Sequence, residues 1–177
     1  FGGTVSITTA APEIITENTP VTPGISQTEA ITVGGTTQLD ATTAGDVTLT
    51  QPNNDFNTVS VTAANNVSLT DANNLDLSAS NITGNLEINT AGSEGITPGG
   101  NITDSGNVIV IGTTTLDAGT NNITLDSAGN DFNTVNISGN NVTLTDANSI
   151  DLGSFIDTLG DLTVNAGGAI TQGIESS

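Results

Sequence analysis

The pentapeptide DFNTV occurs at residues 55–59 and again at 131–135, inside a much longer internal parallel. From Thr36 the chain reads TTQLDA, DVTLT, DFNTVSV, NNVSLTDANNLDL and GNLEINTAG; from Thr113 it reads TTTLDA, NITLD, DFNTVNI, NNVTLTDANSIDL and GDLTVNAG. Self-similarity over so long a period restricts the chain to a repeat architecture, in which each unit buries its apolar face only against its neighbours. The copies run over 36–112 and 113–177, with a partial copy over 1–35, and 1–177 reads as one solenoid rod segment, uncapped at both ends.

Inside the copies, Val, Ile and Leu alternate with Thr, Ser, Asn and Asp over short runs, the period of a strand with one face buried. Strands are predicted at 5–7, 31–33, 47–49, 59–61, 67–69, 75–77, 86–88, 108–111, 123–125, 135–137, 142–144, 150–152 and 162–164. Weaker anchors fall at Ile15, Ile25, Leu39, Ile96, Ile102, Leu116 and Ile170. Thr, Asn, Gly and β-branched residues dominate throughout, which disfavours helix. Tight hairpins are disfavoured too, because the chain contains neither Asn-Gly nor Asp-Gly. Parallel stacking is the remaining solution.

Dealing the anchors cyclically onto three faces gives 25, 47, 75, 102, 123 and 150 for the first, and 5, 31, 59, 86, 108, 135 and 162 for the second. The third takes 15, 39, 67, 96, 116, 142 and 170. The expected fold is all-β: a right-handed parallel β-helix, a three-sided solenoid of about 26 residues per coil and six to seven coils, with a super-repeat of three coils. The longer connections from first face to second, 47–59, 75–86, 123–135 and 150–162, carry a large apolar residue before the second face. These are Phe56, Ile82, Phe132 and Leu159, with Phe1 in the same relation to Val5. They predict an inward corner that the short coils, 25–31 and 102–108, lack.

Only thirteen residue types occur, and Lys, Arg, His, Cys, Met, Trp and Tyr are absent, so a net charge of −19 has no internal counter-ion. Nucleic acid is excluded as a partner by this charge, since phosphate affinity comes from Lys and Arg. Anchoring to anionic lipid through a basic patch is excluded for the same reason. No run is long or apolar enough to span a bilayer, and no membrane insertion is expected of this segment.

The stretches GISQTEAITVGGTTQLDA (24–41) and GNVIVIGTTTLDAGTNNITLDSAGNDF (106–132) resemble repeats of giant bacterial surface adhesins of the filamentous-haemagglutinin type. NLEINTAGSEGIT and DLTVNAGGAITQG are similar to the same repeats, so the resemblance covers nearly the whole chain. It implies a right-handed parallel β-helix exported to the cell surface and displayed as a long shaft. The expected function is therefore structural: a secreted, extracellular rod or filament of a surface adhesin or biofilm-matrix fibre. Its expected partners are further copies of itself, stacked end to end or joined in a longer chain, and a host or neighbouring-cell surface.

Catalysis has few actors here. Without His, Lys, Cys, Tyr or Arg, carboxylates are the acid–base groups available, and glycan hydrolysis by a carboxylate pair is the familiar chemistry left to them. Outward and turn positions explain most of the Asp residues, so no enzyme and no catalytic, cofactor-binding or metal residue is assigned. Calcium is the alternative for Asp71-Ala-Asn-Asn-Leu-Asp76 and its copy Asp146-Ala-Asn-Ser-Ile-Asp151, which cluster oxygen ligands but match no EF-hand loop. Ice binding is another alternative, through Thr-x-Thr pairs such as Thr48/Thr50 and Thr143/Thr145, although Asp76, Asp126, Asp151 and Ser68 interrupt the equivalent positions. Six Asn-x-Ser/Thr triplets, starting at Asn66, Asn81, Asn101, Asn122, Asn136 and Asn141, follow from Asn preceding strands with outward Thr or Ser.

Overall fold

The computed structural model describes residues 5–8, 24–92 and 98–173. Phe1, Ile15 and Ile96, named above, lie outside the described residues. In chain order the strands are β1 (Val5–Thr8), β2 (Ile25–Ser26), β3 (Thr32–Asp40), β4 (Val47–Leu49), β5 (Asp55–Ala63) and β6 (Val67–Thr70). They continue with β7 (Leu75–Leu77), β8 (Ser80–Ile82), β9 (Leu86–Asn89), β10 (Ile102–Asp104), β11 (Val108–Asp117) and β12 (Ile123–Leu125). The last are β13 (Asp131–Gly139), β14 (Val142–Asp146), β15 (Ile150–Thr158), β16 (Leu162–Ala166) and β17 (Ile170–Gln172). Every strand predicted above falls on one of these, with Ile31 just ahead of its strand.

All strand pairs are parallel. One sheet runs β1-β3-β5-β7-β10-β12-β14-β16 and the other β2-β4-β6-β9-β11-β13-β15-β17, with β8 paired to β11. The fold is thus a parallel β-solenoid of about 7 turns, without helix among the described residues.

Two of the expected dimensions change. One register column passes from Ile25 through Val47, Val67, Leu86, Thr114, Val135 and Leu152 to Gln172, so a turn takes about 21 residues, shorter than the coil expected above. Two sheets, not three faces, carry the stack. Period-two alternation fixes which way a side chain points but not which strand lies above it. The cyclic assignment therefore placed Val47 and Val67 on different faces, whereas they are direct neighbours one turn apart.

The offset between the two DFNTV copies is accordingly not three coils but about three and a half, and the two copies exchange sheets. DFNTV of the first copy lies on β5 in one sheet, and DFNTV of the second lies on β13 in the other. The same exchange takes β4 to β12, β6 to β14, β7 to β15 and β9 to β16. Each copy is thus turned to the opposite side of the rod relative to the last.

The core is a file of aliphatic side chains between the sheets. Leu39, Val59, Leu75, Ile88, Ile102, Leu125, Ile137 and Leu144 are all fully buried in it. Phe56, Ile82 and Phe132 fill an inward corner as expected, but the short coils do not lack it: Val33 pairs with Phe56, and Val110 stacks between Ile82 and Phe132. Leu159 departs from the expectation, being 67% exposed. The second copy is one residue longer than the first between its Leu-x-Leu strand and the next strand, 152–162 against 77–86. That insertion moves Leu159 into the place of Thr83, each donating its N–H to the coil beneath, at Gly139 O and Ala64 O respectively.

A half-integral repeat is directly measurable. Nitroxides at Thr48→Cys and Thr124→Cys, equivalent outward positions of the two copies on β4 and β12, should sit on opposite sheets at roughly 25–30 Å. A repeat of three whole coils would place them on one side at roughly 15 Å, and pulsed electron paramagnetic resonance distinguishes the two.

Candidate functional site

The recurring Asp-Phe and Asp-Ala-Asn segments meet across consecutive coils, and the same constellation forms twice. Asp71 Oδ2 accepts the N–H of Phe56 at 2.6 Å, and Asp146 Oδ2 accepts that of Phe132 at 2.7 Å. The other oxygen of each closes its own turn, accepting from Asn73 N and Asn148 N at 2.9 Å. Asn73 Nδ2 and Asn148 Nδ2 then donate back to Asp55 and Asp131 at 3.0 Å. Finally the N–H of Ala72 reaches Asn54 O, and that of Ala147 reaches Asn130 O, each at 2.8 Å.

The buried asparagine preceding each Asp-Phe extends this staple to the coil below. Asn54 Oδ1 accepts from Ile31 N at 2.9 Å while its Nδ2 donates to Leu49 O and Thr70 O. Asn130 Oδ1 accepts from Val108 N at 2.8 Å and its Nδ2 donates to Asp104 Oδ2 at 2.7 Å. Three coils are tied at one point.

This geometry separates the carboxylates that the calcium alternative grouped together. Asp71 and Asp146 are buried, and both oxygens of each are engaged by N–H donors, the wrong partners for sharing with a cation. Asp76 and Asp151 instead point outward from β7 and β15, accepting hydroxyls of Ser105 (2.6 Å) and Thr171 (2.8 Å). Among the described residues no group of three or more acidic side chains is placed to hold a metal ion.

Strand-entry turns carry a second device. Asn74 Oδ1 accepts Asn101 N, Asn101 Oδ1 accepts Asn122 N, Asn122 Oδ1 accepts Asn141 N, and Asn141 Oδ1 accepts Asp161 N, at 2.8–3.1 Å. A shorter ladder on the other sheet runs from Asp46 through Asn66 and Asn85 to Thr113 N. Four of the six Asn-x-Ser/Thr triplets begin at these rungs, which accounts for them without any modification. Strand exits are closed by the preceding Asx side chain: Asp40 caps Thr42 N, Asn89 caps Ala91 N and Asp117 caps Gly119 N. Thr42 adopts φ 61° where its counterpart Gly119 has φ 56°, so the same left-handed turn is held in both copies.

Threonine is more regular on the surface than the sequence indicated. On the first sheet one outward rank reads Thr36, Thr58, Asp76, Thr103, Thr124, Thr143 and Thr163, broken only at Asp76. Thr145 is followed in its own rank by Asn165, and Thr48 by Ser68 and Glu87. The surface also carries a depression of about 380 Å³ lined in part by Ile109 and Ile111, and one of about 200 Å³ lined in part by Phe155.

A two-sheet parallel stack held by recurring side-chain staples defines a β-solenoid repeat protein. The chain belongs to the family described as repeats of unknown function (DUF5649), whose model matches residues 1–63, 64–138 and 139–177. The middle match, 64–138, spans nearly the same half-integral period, and the first two matches end at the close of β5 and near the close of β13, the two strands that carry DFNTV. No curated protein and no solved structure matches the chain.

Burial raises the Asp71 carboxyl from its ordinary 3.8 to about 6; the amides of Phe56 and Asn73 oppose the rise, and the nearby Asp55 charge adds to it. A carboxyl with a raised folded-state pKa binds its proton more tightly in the folded chain, so its contribution to stability grows as pH falls through about 6 and is lost above it. Unfolding midpoints in urea should therefore rise between pH 7 and pH 5. Asp71→Asn should flatten that slope and, by turning an amide NH2 toward one of the two donors, cost about 1–3 kcal/mol at pH 5.

Proposed function

We propose that this chain is a shaft segment: a structural rod, without catalysis, of a secreted bacterial surface adhesin or biofilm-matrix fibre. The observation that carries this reading is that the polar motifs shared by the two copies are engaged in joining coils or closing turns. The Asn-Asp-Phe staple, the Asp-Ala-Asn turn and the asparagine ladders bind one coil to the next, the Asx caps close the turns between strands, and two of the carboxylates that could have served as acid or base are occupied by backbone donors. Such a unit gains length by repetition without loss of packing, at about 17 Å per copy from three and a half steps of about 4.8 Å. The resemblance to haemagglutinin-type repeats supplies the surface location, and a charge of −19 favours a well-solvated rod.

In intact producing cells, antibodies raised against residues 24–173 should label external fibres, and inserting one extra copy of 64–138 should lengthen those fibres by about 17 Å. Labelling only after permeabilisation would sink the surface reading. A compact particle in place of a longer fibre would sink the rod.

The threonine rank favours a second reading, an ice-binding face, because six hydroxyl-and-methyl side chains repeat at the strand spacing of about 4.8 Å. Thermal hysteresis that rises on Asp76→Thr, which completes the rank, would support it; freezing behaviour no different from that of an inert protein would dismiss it.

A further inference from the structure

The exposed aromatic on β15 marks a surface that the shaft reading leaves unused. Of the described phenylalanines, Phe56 and Phe132 are fully buried and Phe155 is 55% exposed. The register of β13 with β15 jumps there: Val135 pairs with Leu152 and Ile137 with Ile156, so Asn136 faces the bulge Gly153-Ser154-Phe155. Gly153 passes directly over Asn136, where a Cβ would collide with Oδ1, and that same Oδ1 accepts the N–H of Phe155 at 3.3 Å. The bulge turns the ring out of the stack. The first copy has no such element; there Ser80 begins a regular strand and is buried.

Phe155 lines the depression of about 200 Å³ together with Glu87, Thr115, Asp117 and Ser138. Glu87 is exposed and takes one hydrogen bond, at Oε2 from Ser68 at 3.2 Å. Asp117 receives the Gly119 N–H on Oδ1. Carboxylates, hydroxyls and an exposed aromatic ring thus line one depression. A guanidinium satisfies all three surfaces at once, stacking on the ring, pairing with carboxylate and donating to hydroxyls.

We infer that the pocket lined by Phe155 is a docking site for an arginine side chain of a different protein. Charge complementarity identifies the occupant. These 177 residues hold no Lys, Arg or His, so a second copy of them cannot supply the cation. A second copy would also bring another −19 charge to the contact. The site is independent of whether the rod is a cell-surface shaft, and it goes beyond that role by assigning a heterologous, basic partner to one side of the rod.

The test is a titration of the isotopically labelled chain with N-acetyl-arginine amide, followed by amide chemical shifts, with N-acetyl-citrulline amide as the uncharged isostere. Saturable shifts should centre on Glu87, Thr115, Ser138 and Phe155. They should weaken about threefold or more in Phe155→Leu, which keeps apolar area but removes the ring, and again in Glu87→Gln. Both changes are at exposed side chains, and an unchanged amide spectrum elsewhere verifies the fold. Three outcomes would overturn the site: shifts spread over all acidic residues alike, an equal response to citrulline, or binding unaffected by Phe155→Leu.

Discussion

Everything in this molecule depends on the parallel hydrogen-bond ladder between one turn and the next. A parallel pair cannot be closed by a tight hairpin, so each strand finds its partners a full turn away, about 21 residues along the chain. Backbone groups in the turns would be left unpaired if the strands alone were bonded. The asparagine ladders, the Asx caps and the Asn-Asp-Phe staples continue the bonding around the corners, which explains why short polar side chains occupy so much of a chain with an aliphatic core. Two buried hydroxyls, Thr37 and Thr114, are without a hydrogen-bond partner among the described residues, and they too occupy equivalent places in the two copies.

The charge is tolerated by the same geometry. Nineteen carboxylates without a single cation would repel one another in a compact globule, but a rod spreads them along its length and around both sheets. Most of those described stand on outward positions or close turns, and several, such as Asp40, Asp46, Asp104 and Asp117, accept backbone N–H groups there. Asp71 and Asp146 are the exceptions, taken out of water and compensated by two amides each. Neutralisation by dipoles substitutes for the salt bridges that the composition forbids. An external cation has a natural place only where a carboxylate keeps open oxygen beside other recognition groups, as Glu87 does beside Phe155.

Strand positions were legible because inward and outward residues alternate, and strand parallelism was legible because turn dipeptides are missing. Stacking order was not. Val47 and Val67 carry equivalent patterns whether they are neighbours or not, and nothing local distinguishes a shorter two-sheet turn from a longer three-sided one. The corner at Phe56 and Phe132 could be read from residue size, but Leu159 could not, since a one-residue insertion exchanges inside for outside. The role of Asp71 and Asp146 was hidden for a related reason. Their partners are main-chain N–H groups 15 and 14 residues earlier, and a backbone donor leaves no mark in sequence beyond the recurrence of Asp-Phe ahead of Asp-Ala-Asn.

The half-integral period separates what the copies share from what each can vary. Inward and turn positions are kept between them: Leu39 and Leu116, Val59 and Val135, Phe56 and Phe132, Asp71 and Asp146. Outward positions are kept in some places, as at Thr48 and Thr124, and diverge in others, with Gln38 against Thr115, Glu87 against Thr163, and the bulged Phe155 in the second copy alone. Stacking constrains the first set because every coil must accept its neighbour's register, whereas solvent places no such demand on the second. Since each copy also changes sheets, a surface feature acquired in one copy faces away from the corresponding strip of the next. A rod built this way can present unrelated surfaces on its two sides while a single repeated chemistry holds it together.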